Sequence, residues 1–483
     1  MTLPEHAAPG PTPLPASSVL AELEALRASD LPTHGGRTLA YVYDSGVAEA
    51  DELGRQALAM YGSTNGLDPT AFPSLLRMET DLVAFARRVL HGSDQVVGSA
   101  TSGGTESILL AVKTARDAAA VERPVMVVPT TIHAAFHKAA HYFGVERVTV
   151  PVDPTTYRAD PEAMAAELDR YAGRVVLVAA SAPSYAHGVI DPIEEIAALA
   201  RERGLRFHVD ACIGGWVLPW APGAPAWDFA VEGVTSISAD LHKYAYAPKG
   251  VSLLLHATPE LRRDQFFASA DWPGYTMLNS TVQSTKSGGP LAAAWAVVRY
   301  FGADGYARLV DTALVGTAAV VAGVEQIDHL SVVVAPDSTL VAIAADDTCD
   351  VFTISDLMLE QGWFVQPQMG FEGSPATLHV SLSAATAASV PDFLVALVGA
   401  VTAAVERGPI QVDEGLRAAA EAIDPATLDD AAFAGLLQVA GLAGEGGAVE
   451  APAQMAPVNA LLDVAPPRLR EALLVAFLDH LTR

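Results

Sequence analysis

The chain has 483 residues, 51% hydrophobic and 18% charged, and its 56 acidic against 29 basic residues leave a net charge of −27. Three times the roughly 150-residue domain prior allows one large enzyme fold with appended segments, while the acidic balance argues against the attraction on which nucleic-acid and anionic-lipid binding depend. Mean hydropathy is +0.28, but uncharged apolar runs such as Thr312 to Val324 and Phe393 to Val405 span 13 residues each, short of the ~20 that cross a bilayer, so no spanning helix is expected.

The opening MTLPEHAAPGPTPLP lacks the basic stretch and apolar block of a secretory signal. Leu20, Leu23 and Leu26 then recur at helical spacing, predicting a helix in an N-terminal arm over 1–60. The only cysteines are Cys212 and Cys349, with no CxxC pair, which fits a reducing compartment and a cytoplasmic protein.

From about residue 96 to 256 short β-branched runs alternate with Ala-rich helical stretches: 125–129, 145–152, 175–181, 205–211, 235–240 and 251–256. Continuous apolar strands separated by amphipathic helices are what a mostly parallel sheet covered on both faces requires. The expectation is an α/β domain over 61–307. HLSVVVAP, STLVAIAAD, a helical stretch and TLHVSLS then predict a smaller α+β domain over 308–408. The extension 409–483 contains GLAGEGGAVEAPAQMAP, read as a connector, and closes on a helix with Leu469, Leu473, Phe477 and Leu481 along one face.

Three segments carry chemistry. In SATSGGTESILLAV (99–112), Gly103 and Gly104 let a ligand approach the backbone, and Thr105 adds a hydroxyl where a helix begins. Such a start can cradle a phosphate without a lysine, and an ordinary N-cap turn would show the same residues. In HVDAC (208–212), Asp210 ends a buried strand and needs a cation, which a protonated pyridine nitrogen or a structural arginine would supply. In SISADLHKYAYAPKG (236–250), Lys243 follows a strand beside apolar and aromatic residues. Desolvation there is expected to lower its pKa and favour Schiff-base chemistry. A phosphate cradle, an acid and a lysine in this order suit pyridoxal phosphate. His133 adds a ring that can lie on the pyridine face. His137 and His141 follow it at i+4 and i+8, but with no HExxH glutamate and no nearby cysteine, no metal site is expected.

Together TSGGTESILLAVKTAR, HAAFHKAAHYFGV, SYAHGVIDP, HVDACIGG, TSISADLHKYAYAPKG and DWPGY resemble the sphingosine-1-phosphate lyases, a branch of the pyridoxal-phosphate-dependent group II decarboxylase family. The resemblance runs from about Arg37 to the closing FLDHL. It implies the fold type I, aspartate aminotransferase-like architecture and a homodimer with shared active sites. Lys243 would bind pyridoxal 5'-phosphate covalently, Asp210 would hold the pyridine nitrogen protonated, and His133 would stack on the ring. Gly103, Gly104, Thr105, Ser238 and His242 would surround the cofactor phosphate, and Thr285 would reach across from the other subunit. Lys249, helped by Tyr43, would approach a substrate phosphate. The implied reaction splits a phosphorylated long-chain amino alcohol into a fatty aldehyde and phosphoethanolamine. NGLDPTAFP (65–73) departs from the family's pattern, placing Asp68 where a histidine is usual. An anion beside a phosphate keeps two alternatives open: an amino-acid decarboxylase, or a lyase for another 2-amino-3-hydroxy compound.

Overall fold

The computed structural model describes residues 13–425 and 454–482, with positions 428, 430, 432, 433 and 435 between them. Most of the expected connector, 441–453, lies outside the described residues. Seven strands form the central sheet: β1 (Val97–Thr101), β2 (Val125–Pro129), β3 (Glu146–Val150), β4 (Val175–Ser181), β5 (Arg206–Asp210), β6 (Ser236–Ala239) and β7 (Ser252–His256). Their order is β1-β7-β6-β5-β4-β2-β3. β3, β2, β4, β5 and β6 run parallel, and β7 lies antiparallel to both its neighbours. Every residue of VVLVAAS in β4 is buried, as expected of a strand covered by helices on both faces. β1, whose sequence VGSAT carries no run of large apolar side chains, is the strand that apolar periodicity does not reveal.

Two short strands, β8 (Phe267–Ser269) and β9 (Met277–Asn279), form a separate hairpin. The smaller sheet is antiparallel, built from β10 (Leu330–Val332), β11 (Leu340–Ala345), β12 (Gln366–Gln368) and β13 (Thr377–Ser381) in the order β10-β11-β13-β12. The helix Gly288–Val324 joins the two domains, with a break in helical geometry at Gly302. Leu291, Val298 and Tyr306 pack in the large core, whereas Val320 and Val324 pack in the small one. The 13-residue limit from the sequence does not describe this element. Its 37 residues, with mean hydropathy 1.5 over an 18-residue window, are long and apolar enough to cross a membrane by length and composition, although both ends are drawn into the protein's own cores.

Residues 36–44 form a strap rather than a loose arm. Leu39 is fully buried in the small core; its N–H donates to Phe364 O (2.9 Å), and its carbonyl accepts from Ser381 N (2.6 Å). The extension is also attached to the small domain. Ala456 N–H donates to Asp356 Oδ2 (2.7 Å), Gly370 N–H donates to Asp463 Oδ1 (2.6 Å), and Ala456 and Ala460 enter the core. In the closing helix, Pro467–Leu481, Leu473 and Phe477 gather around Phe433.

Candidate active site

The large sheet presents the ends of β1, β2, β4, β5 and β6 along one edge, where open α/β sheets bind ligands. A cavity of about 360 Å³ opens there, lined by Gly103, Gly104, Thr105, His133, Tyr185, Asp210, Asp240, His242 and Lys243 among others. Gly103 and Gly104 start the helix Gly104–Ala119, whose first amides have no intrahelical acceptor. Gly104 is required by close approach: a Cβ there would lie 2.6 Å from Cys212 Sγ and 2.8 Å from Asp240 Oδ2.

Asp210 is held in place from below. Its Oδ1 accepts from Cys212 N (3.1 Å) and Ser238 Oγ (3.4 Å). Ser238 in turn meets His208 Nε2 at 3.2 Å. His208 is fully buried, and burial pushes its pKa down to about 4, so it supports this network as a neutral ring. These contacts correct the expectation for Ser238, which is fully buried beneath Asp210 and does not line the cavity. The strand's two-residue alternation turns Ser236 and Ser238 together toward His208.

His133 caps the helix Ala134–Phe143, its Nδ1 accepting from Ala135 N (3.2 Å), and stands edge-on to Tyr185 with ring centroids 6.5 Å apart. Burial lowers its pKa, more than the nearby Asp210 restores it. Tyr185 stacks on His379 at 4.2 Å and donates to Gln366 Oε1 (2.8 Å), which brings the small domain to the cavity wall. Tyr185, Cys212 and Asp240 were given no role from the sequence. The period-two alternation and the residues at strand ends were the available signals.

Lys243 differs from expectation. Its Nζ lies 3.0 Å from Asp240 Oδ2. Burial pushes the lysine pKa down, but Asp240, with Tyr43, Cys212 and Asp210, outweighs burial and holds it above the ordinary value. The sequence argument counted desolvation and missed the ion pair that opposes it.

Lys249 and Tyr43 stand together just outside this lining. Lys249 Nζ sits 4.8 Å from the Tyr43 ring centroid and donates to His242 O (3.3 Å). The side chain reaches the surface, yet desolvation at the ammonium, reinforced by the Lys243 charge, lowers its pKa to about 8. Thr285 is exposed and does not line the cavity. Asp68 is exposed and does not line this cavity. Its Oδ1 accepts from Thr70 N (2.8 Å), Thr70 Oγ1 (2.6 Å) and Ala71 N (3.3 Å), capping its own exposed turn, and these bonds lower its pKa.

Residues 53–345 match the family described as "Pyridoxal-dependent decarboxylase conserved domain". The chain belongs to that family. Residues 414–480 match a second description, "Pyridoxal-dependent enzyme, C-terminal putative HTH domain". Within the decarboxylase family the chain is similar to sphingosine-1-phosphate lyases. It is 37% identical over 345 residues to that of Dictyostelium discoideum, covering 70% of this chain and 63% of the relative. To that of Arabidopsis thaliana it is 37% identical over 392 residues, covering 78% and 70%. The solved sphingosine-1-phosphate lyase of Burkholderia pseudomallei superposes with a TM-score of 0.76 at 33% identity, covering 83% of this chain and 95% of that one. A glutamate decarboxylase of Lactobacillus brevis superposes at 0.73 with 18% identity, over 86% and 97%, a likeness of fold alone. This family member is a fold type I, pyridoxal-phosphate-dependent lyase. Its residues fit the cofactor: a helix start kept bare at Gly104, an unpartnered buried oxygen on Asp240, an acid ending β5 and a lysine all face one cavity.

Proposed function

We propose that this lyase cleaves the Cα–Cβ bond of a phosphorylated long-chain amino alcohol, releasing a fatty aldehyde and phosphoethanolamine. The observation that carries this reading is the second lysine. Lys249 lies six residues beyond the cofactor lysine, at the cavity's outer side over Tyr43. It offers a cation where a substrate phosphate would enter. The relatives at 37% identity, named for sphingosine-1-phosphate cleavage, support the same substrate class.

Lys243 would hold the cofactor, the helix start at Gly104 its phosphate and Asp210 its ring nitrogen. When bound, the cofactor supplies an electron sink for the bond broken at Cα. The chain's residues do the rest. Asp210, fixed by Cys212 N and Ser238, would present its carboxyl group to the pyridine nitrogen. His133 accepts from Ala135 N through Nδ1, which leaves Nε2 as the protonated nitrogen of the neutral ring. Tyr185, pinned by His379 and Gln366, narrows the side of the cavity next to His133. Asp68, the departure that kept the alternatives open, turns its Oδ1 to its own turn.

We also place this enzyme in the cytoplasm, as a homodimer drawing substrate from solution or a membrane surface. Exposed Phe267, Trp272, Tyr275 and Leu278 cluster around the β8–β9 hairpin, and Thr285 follows on the same exposed stretch, which supports a second copy covering them. The test is incubation of the cofactor-loaded enzyme with a phosphorylated sphingoid base. Fatty aldehyde is expected, and Lys243→Ala should abolish both its release and borohydride-trapped cofactor. Carbon dioxide from an amino-acid panel, with no aldehyde, would replace this reading by decarboxylation.

A further inference from the structure

The roles above leave Glu106 unused. It is the third residue of the helix Gly104–Ala119, 7% exposed, and it lines the cavity. Its Oε2 accepts from Ser102 N (2.6 Å), just before the cradle glycines, and its Oε1 accepts from Val282 N (2.8 Å), far away in sequence. A glutamate at this position commonly bonds back to an N–H at the helix entrance, and its charge is favoured in the first turn. The bond to Val282 has no such local reason. Val282 is 59% exposed, so burial of its side chain does not hold it, and its stretch is tied down by polar groups instead. Ser280 O accepts from Gln265 Nε2 (2.7 Å), and Lys286 Nζ donates to Ala100 O (2.6 Å) and Glu79 Oε2 (3.1 Å). Lys286 N donates to Asn65 Oδ1 (3.2 Å), and Lys286 O accepts from Gly66 N (2.7 Å). Between these anchors residues 282–285 are exposed, and Glu106 holds the first of them.

We propose that Glu106 is a positioning residue that couples the phosphate cradle to the stretch 280–286. A phosphate in the cradle fixes the backbone at Ser102 and the glycines after it. Because one carboxylate grips both Ser102 N and Val282 N, fixing the first fixes the second, and the exposed run that ends at Thr285 takes a single place. The coupling is reciprocal: whatever steadies 282–285, a second copy of the chain included, tightens the cradle around the cofactor phosphate, and whatever loosens it weakens cofactor binding. The helix start does not need Glu106 to fold. Thr101 Oγ1 meets Ser107 Oγ at 2.7 Å, and Ser107 N donates to Gly103 O (3.0 Å), so the loop keeps its shape by other bonds. A glutamine at 106 has one accepting oxygen and one donating amide, so it can satisfy one of the two N–H groups and opposes the other.

The inference rests on Gly103 and Gly104 as the cradle of the cofactor phosphate. The full chain is stripped of cofactor with hydroxylamine, and amide hydrogen exchange is read with and without added pyridoxal 5'-phosphate. In the wild type the cofactor should slow exchange about fivefold in both 101–106 and 281–286. In Glu106→Gln the first protection should remain and the second should fall below about twofold. Val282→Pro removes the donor at an exposed position, should give the same split, and keeps the test open if Glu106→Gln fails to fold. Cofactor affinity then closes a double-mutant cycle: each single variant should weaken binding about fivefold and the double variant no further, because both remove one bond. Additive losses overturn the proposal, as does protection of 281–286 that survives in either variant, the result expected if Thr285 touches the cofactor directly across a dimer. Protection of 101–106 alone in the wild type leaves the cradle standing and sinks this inference; protection of neither stretch sinks both.

Discussion

At the scale of single residues, the two lysines of SADLHKYAYAPKG have opposite electrostatic fates because one has an anion at 3.0 Å, whereas the other is desolvated and feels the charge of the first. Lys249, with its pKa lowered to about 8, is a cation below that pH and progressively neutral above it. The KM for a phosphorylated substrate should therefore rise as pH passes 8, while a non-phosphorylated analogue shows no such break. Lys249→Met should raise the first KM at least tenfold and leave the second within about twofold; equal losses would remove the phosphate role. Asp210, His133 and Lys243 were legible in the sequence because the chemistry needs an acid, a ring and an amine at strand ends, and all three line one cavity. Ser238 and Asp68 stand outside the cavity lining for a local reason. A hydroxyl or carboxylate named by position in a motif can be claimed first by a neighbour, here Asp210 with His208, and Thr70 with Ala71.

Whole elements show which patterns sequence carries well. β2 and β4 match their predicted limits, since buried parallel strands are unbroken apolar runs. β1 was missed because its residues are small and polar, and it is a strand only through its pairing with β7. The helix start beside it is sensitive to one methyl group. Gly104→Ala must displace Cys212 or Asp240, and a fluorescence titration should show pyridoxal 5'-phosphate binding weakened at least tenfold with the unfolding temperature little changed. Unaltered affinity would mean the cradle has slack that these distances do not show. The segment 414–480 matches a helix-turn-helix description, yet it carries three arginines and no lysine against ten acidic residues. With so few phosphate partners, a mobility-shift assay on duplex DNA should give no complex even at low salt; a salt-sensitive shift would revise that expectation. The contacts of Asp463 and Ala456 instead make this segment a brace for the small domain.

Across the whole molecule, buried neutral histidines link the sheets to pH. Burial lowers His208 to about 4 and His256 and His379 to about 3. Between pH 6.5 and about 4 the unfolded chain binds protons at these sites that the folded chain refuses, so stability falls as pH falls through that window. Each contributes a loss of up to roughly 3 kcal/mol by its lower limit. The unfolding temperature should drop steeply below pH 6.5, and His256→Gln should flatten the slope; a level profile down to pH 4.5 would contradict this account. The mostly parallel sheet and its covering helices could be read from the alternation of patterns, but the course of residues 36–44 could not, because a segment without periodicity gains its place only from the partners it meets. That course has a mechanical consequence. Leu39 is stitched between Phe364 and Ser381, and four residues later Tyr43 lies under the ammonium of Lys249. Any swing of the small domain pulls on this short tether, so the cleft cannot widen or narrow without moving the floor beneath the outer lysine: aperture and anion receptor are geared to one another.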